Sequence, residues 1–351
     1  MSWLGECKIW SRVAVMAALA WATAAGAQSG APNEAIYMYR GDDRVARLVD
    51  KAKEEGKLVL YTSLATTESI PLTQAFEKKY GIKVEMWRAV SEKVVQRTVA
   101  EAQGKRFAVD VIETNGPELE MLTREKLLSE FYSPYLADLP ASALPAHRQW
   151  VSDRVNFFVV AYNTTKVRRD ELPRTYEGFA DPKWKGRIGI EATDHEWLAT
   201  VVKHWGKDKG MAFFRRLADL KPDVRKGHTL LSELVAAGEV PVGLTVYNTY
   251  AESMKRRGGP VDWVPVEPVV GRPQGVAVAR NAPHPHAALL FADFLLSPEG
   301  QELFSSMGRV PVSRKVKTEL NDFTYTMVDP ATVLDEAQVW EKTWNELFLG
   351  Q

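Results

Sequence analysis

Residues 58–69, LVLYTSLATTES, constrain the fold of this chain more than any other stretch. The apolar run Leu58-Val59-Leu60-Tyr61 stops at Thr62-Ser63, and Thr66 and Thr67 stand just before Glu68 and an apolar-periodic segment. A short apolar run followed by a 3.6-residue period reads as a buried strand, a loop and a helix. The loop leaves hydroxyls and free backbone N–H groups at the strand's C-terminal end. In open α/β sheets small ligands sit at that edge. A helix N-terminus there favours negative charge, because its first N–H groups have no internal partner.

The same unit recurs downstream. A helix over 44–56, with Val45, Leu48, Val49 and Ala52 on one face, ends at Gly56 before the first strand. Helix 67–80, with Pro71 in its first turn, leads to strand 82–87. Ser91 is expected to cap helix 92–103, followed by strand 109–113 and helix 116–124. Three successive βα units argue for a parallel sheet covered on both faces, with right-handed crossovers. Residues 131–144 read as an irregular crossing. A second half then opens with strand 156–162 and continues with strands 186–192 and 240–247 and helices 196–205, 209–219, 229–237 and 250–257. Strands near 263–265 and 274–279 and helices 285–296 and 298–307 lead into a tail that is helical at 337–347. The second half interrupts the first. Lobe one is therefore expected over 37–153 and 264–351, and lobe two over 154–263. Two crossovers would form a hinge beside a cleft that can close.

Residues 1–27 stand apart. Lys8 and Arg12 precede the apolar core VAVMAALAWATAA, and Ala25-Gly26-Ala27 supplies small residues before Gln28. This is the layout of a cleaved secretory signal peptide, with a core shorter than the roughly 20 residues of a membrane span. The one cysteine, Cys7, lies inside it, so the exported protein has no disulfide and no thiolate ligand. Export without cysteine points to a periplasm. Removing 1–27 leaves 43 basic and 44 acidic residues, a balance that gives no general reason to bind nucleic acid or membrane. Residues 28–40 read as a loose leader, and the chain is expected to be monomeric.

The strand ends supply the candidate ligand contacts. Lobe one offers Tyr61, Thr62, Ser63, Thr66 and Asn115. Lobe two offers Asp194, His195, Glu196, Tyr247, Asn248 and Tyr250. Neutral donors with aromatic walls suit a small polar or anionic ligand. Each hydroxyl could equally serve as a cap or turn former. Tyr247 and Tyr250 sit three apart across a strand-to-helix turn, and phenolates suit a hard cation. With His195 and Glu196 they form a candidate metal set. No cofactor is expected, and Fe3+ would enter as cargo. Nucleophile-elbow, zincin, phosphate-loop and dinucleotide motifs are all absent, so no enzyme is expected. The contrary reading is a secreted hydrolase using His195 with a carboxylate.

Several segments resemble the extracellular solute-binding proteins of ABC importers, specifically the ferric-ion-binding class. They are EGKLVLYTS at 55–63, AFEKKYGIKV at 75–84, VAYNT at 160–164, FADPKWKGRI at 179–188 and LLSPEGQ at 295–301. The resemblance runs along nearly the whole exported chain. It implies a two-lobed α/β periplasmic-binding fold of type II, with a hinge, an interlobe cleft and delivery of cargo to an inner-membrane permease. It implies ferric iron or an iron complex ahead of the alternative, a small organic or phosphorylated anion without metal. A receptor that feeds a sensor instead of a permease would read the same way. Ferric-binding relatives carry two adjacent tyrosines where this chain reads Tyr247-Asn248-Thr249-Tyr250, and often an arginine where this chain has Phe158. The loop after Tyr61 also lacks a histidine.

Overall fold

Gly56 takes the left-handed conformation, φ 77°, and turns the helix Arg44–Glu55 directly into the first strand. The computed structural model describes residues 32–350; the expected leader lies outside them. Among the described residues the strands are β1 (Lys57–Thr62), β2 (Lys83–Arg88), β3 (Val111–Asn115), β4 (Leu128–Ser129), β5 (Val151–Asn163), β6 (Ile188–Glu191), β7 (Asp223–Arg225), β8 (Val242–Tyr247), β9 (Val261–Val264), β10 (Val269–Ala279), β11 (Val310–Pro311) and β12 (Tyr325–Met327). Hydrogen bonding orders them β2-β1-β3-β10-β5-β8-β6-β7, with the four short strands paired off this path. β1 pairs parallel with β2 and β3, and β6 pairs parallel with β7 and β8. The central pairs β3–β10, β10–β5 and β5–β8 are antiparallel.

Helices cover this sheet over two main cores. The first gathers Leu58, Leu60, Phe76, Ile112, Leu119 and Phe291. Phe76 meets Phe291 edge-on at 5.0 Å. The second gathers Tyr176, Trp184, Trp197, Phe213, Phe214 and Leu244. Trp197 meets Phe214 edge-on at 5.0 Å. Strand β5 belongs to both: Val155, Phe157 and Val159 join the first core, and Phe158, Val160 and Tyr162 join the second. Alternation along a strand sends neighbours to opposite faces, so one strand is gripped from two sides. β10 divides likewise, with Val276 to Val278 in the first core and Val270 in the second. These paired strands are the crossovers between two α/β lobes.

Several expectations need correction. Residues 28–40 are not wholly loose: the helix Glu34–Tyr37 is anchored by fully buried Tyr37, whose Oη donates to the Ala279 carbonyl at 2.9 Å. Four residues are too few to show a helical period. Pro71 falls in the second turn of Thr66–Tyr80, not the first. Val90, not Ser91, holds the cap position of Ser91–Gln103, and Ser91 Oγ accepts from Asn115 Nδ2 at 2.7 Å. The C-terminal tail, expected with lobe one, divides: Val310, Val312 and Leu320 pack in the first core, and Val328, Val333 and Trp344 in the second. Trp344 Nε1 donates to the Ala192 carbonyl at 2.8 Å.

Candidate functional site

A cavity of about 250 Å³ opens between the C-terminal ends of β1, β2 and β3 on one side and of β8 on the other. Its size is close to the lower bound of small-molecule sites, roughly 300–1,000 Å³. Of the expected contacts, Ser63, Asn115, Tyr247 and Tyr250 line it. The rest are engaged elsewhere. Tyr61 is buried, its Oη donating to the Glu101 carboxylate at 3.0 Å under the Arg97 guanidinium. Thr62 Oγ1 donates to Glu113 and accepts from the Leu64 N–H, a local turn bond that short hydroxyl side chains favour. Thr66 is exposed at the start of its helix and outside the lining. Asn248 Nδ2 donates to the Leu320 carbonyl at 2.7 Å, which ties β8 to the tail instead of to a ligand.

The candidate metal set is likewise dispersed. His195 Nε2 lies 3.9 Å from Glu341 on the C-terminal tail and is not part of the lining, so the carboxylate–histidine pair of the hydrolase reading is not at the cavity. Glu196 Oε1 accepts from Arg272 Nη2 at 3.0 Å. The Tyr247 and Tyr250 rings stand 5.9 Å apart, but Tyr247 Oη accepts from Arg272 Nη1 at 3.0 Å. Burial pushes the Tyr247 phenol well up, with the Arg272 charge opposing in part.

Glu191, Asp194 and His228 do bring ligand-type atoms within 4.8 Å of one another. Here the imidazole itself acts as the cation. Burial disfavours its charge, but the Asp194 carboxylate, 3.3 Å away, outweighs that with help from Glu191 and holds His228 above its ordinary value. Glu191 is saturated by the Gly227 N–H at 2.8 Å and by the Thr193 N–H and Oγ1. The His228 ring stacks on Tyr247 at 3.9 Å, so this cluster stiffens one wall of the cavity.

The lining side chains that sequence reasoning missed are chiefly arginines, with Gln274 and Glu118. Arg88, Arg154, Arg272 and Arg309 all line the cavity. Arg154, on β5, donates to Glu113 and to Asp153 at 3.1 Å, and burial pushes Asp153 up to about 7 against the Arg154 charge. Arg309 pairs with Glu68, donates to Thr249 Oγ1 at 2.8 Å and lies over the Tyr250 ring. Arg88, at the end of β2, donates Nε to the Leu64 carbonyl at 3.0 Å and pairs with no carboxylate among the described residues. Arg272 Nε, Arg309 Nε and Gln274 Nε2 are buried without a hydrogen-bond partner. A signal did exist. Ser-Asp-Arg at 152–154 and Gly-Arg-Pro-Gln-Gly at 271–275 put charge and polarity inside otherwise apolar strands. Such groups are rarely buried unless paired or used.

Two lobes joined by paired crossover strands, with a polar cavity between them, define a ligand-binding protein of the two-lobed periplasmic type. A family model for bacterial extracellular solute-binding proteins matches residues 72–327, and the chain belongs to that family. Iron uptake protein A1 of Synechocystis is 26% identical over 306 residues, covering 79% of this chain and 83% of that protein. Iron-bound HitA from Pseudomonas aeruginosa superposes with a TM-score of 0.72 at 23% identity, over 82% of this chain and 99% of HitA. AfuA from Actinobacillus pleuropneumoniae, with fructose-6-phosphate bound, superposes with a TM-score of 0.73 at 23% identity, over 84% and 99%. The fold is thus the type II periplasmic-binding fold. Among the described residues no helix is long and apolar enough to cross a membrane.

Proposed function

We propose that this chain is the periplasmic receptor of an ABC importer, exported through its leader, and that its cargo is a small organic or phosphorylated anion. Iron uptake protein A1 is named for iron, the HitA structure is iron-bound, and AfuA holds fructose-6-phosphate. Cargo therefore varies on one frame and has to be argued from the site. The observation that carries the reading is the set of buried, unpartnered donors on Arg272, Arg309 and Gln274 around a cavity that Arg88 and Arg154 also line. Buried donors of this kind are costly unless a ligand meets them, and guanidinium groups match phosphate and carboxylate oxygens in pairs.

Iron, which the family resemblance put first, is less well served. Its hard-cation chemistry needs phenolate oxygens free to coordinate, and Tyr247 Oη already accepts from Arg272, whose positive charge would stand beside the metal. In this reading the protein catalyses nothing, works as a monomer and hands its cargo to an inner-membrane permease. A ligand touching both walls gains contacts only when the lobes close, so it favours the closed state.

The test is the visible spectrum of the exported protein after ferric citrate and desalting, paired with thermal shifts in phosphorylated compounds. The expected result is no retained phenolate-to-iron band and a higher melting temperature with a phosphate ester. A persistent band, with no stabilisation by any anion, returns the assignment to iron.

A further inference from the structure

Three carboxylates line the cavity: Glu68, which pairs with Arg309, Glu92, which is exposed, and Glu118, which lies deeper. Glu118 sits in the first turn of the helix Gly116–Arg124 and lines the cavity beside Arg272 and Gln274. Its Oε1 accepts from Asn115 Nδ2 at 3.3 Å, and its Oε2 is buried without any hydrogen-bond partner. Burial pushes this carboxyl up to about 7, with the Arg272 charge pulling the other way. Its position is fixed from behind. A Cβ on Gly116 would lie 2.9 Å from Pro330 and 3.0 Å from Pro273, so only glycine lets this helix start so close to β10.

A fully deprotonated inorganic anion such as sulfate presents only acceptor oxygens to its neighbours. It can satisfy Arg272 Nε, Arg309 Nε and Gln274 Nε2, but it sets like charge against Glu118 and leaves Oε2 unpaired. A ligand with a proton donor near its anionic end satisfies both sets of groups. We propose that Glu118 is a specificity-determining residue that selects an organic anion bearing a hydroxyl or ammonium a few bonds from its charged end, over a bare anion. This rests on the anion reading above.

The test is isothermal titration of the exported protein at pH 8, where phosphate monoesters are dianions, with sulfate, ethyl phosphate, glycerol 3-phosphate and phosphoethanolamine. At least one donor-bearing ester should bind about tenfold or more tighter than ethyl phosphate, the scale of a charge-assisted hydrogen bond. Glu118→Ala should bring that ester and ethyl phosphate together without lowering the melting temperature. Glu118→Gln keeps an acceptor but not the charge, so it spares a hydroxyl preference and abolishes an ammonium preference. Equal binding of ethyl phosphate and both donor-bearing esters by the wild type overturns the inference and leaves the anion reading standing. So does a preference that survives Glu118→Ala. Absence of binding by all four probes overturns the inference for phosphorylated cargo and the phosphorylated branch of the anion reading with it.

Discussion

The loop after β1 and the paired strands β5 and β10 border the same cleft but serve it differently. The loop is rich in hydroxyls, yet Thr62 bonds back to Glu113 and the Leu64 N–H, Thr66 lies outside the lining, and only Ser63 reaches the cavity. The strands are mostly apolar, yet they bring Arg154, Arg272 and Gln274 to the centre of the site. Short polar side chains in a tight turn find their own backbone first. Arginines on a strand gripped by two cores cannot fold back. They are held in place by carboxylates such as Glu113 and Glu196. At this cleft, charge set in the strands reaches the cavity, and most of the polarity of the turn is spent within it.

That contrast can be broken most severely at Arg154. Its side chain is 5% exposed and that of Glu113 is fully buried. Arg154→Ala strands Glu113 and Asp153 without their cation. It should cost about 3–5 kcal/mol of stability, the scale for breaking a buried ion pair, as measured by urea denaturation. A loss below about 1 kcal/mol, the range of exposed pairs, would show that the strand charges are not structurally fixed.

Thr62→Val tests the loop side. It removes a hydroxyl from Glu113 and from the Leu64 N–H, and it should cost about 1–3 kcal/mol of stability. Ligand affinity should hold, because Thr62 is not part of the lining. Lost affinity at unchanged stability would return the loop hydroxyls to the binding role that the sequence first gave them.

A smaller effect concerns the wall behind Tyr247. His228 titrates above its ordinary value of 6.5 in the folded protein, so the stabilisation it gains from Asp194 and Glu191 is complete below about pH 6.5. It is lost as pH rises through the raised value. The stability difference between wild type and His228→Gln should therefore shrink as pH is taken up from 6.5. A difference that stays flat would mean the imidazole is not the cation of that cluster.

Much of the architecture was legible in the sequence, and less of the site. The run Leu58–Leu60, the helix stop at Gly56 and the succession of βα units expose their periods directly, because burial imposes them. Ser63, Asn115, Tyr247 and Tyr250 were expected at strand ends, where such folds put ligands, and they line the cavity. Arg272 and Arg309 were not found. Each lies far along the chain from its partner Glu196 or Glu68, and only tertiary pairing explains a guanidinium in an apolar setting. How the tail divides between the two cores was hidden for a related reason. Trp344 declares an apolar anchor, but nothing local says which core receives it.

The most direct measurement uses Arg88, the one of the four cavity arginines that no carboxylate pairs with among the described residues. Its exposure at the end of β2 means that Arg88→Ala should leave the melting temperature unchanged. Titration calorimetry with glycerol 3-phosphate should then show affinity reduced about tenfold or more, the worth of a guanidinium-to-anion hydrogen bond. Unchanged affinity, in a variant as stable as the wild type, would contradict an arginine-held anion as the cargo of this cleft.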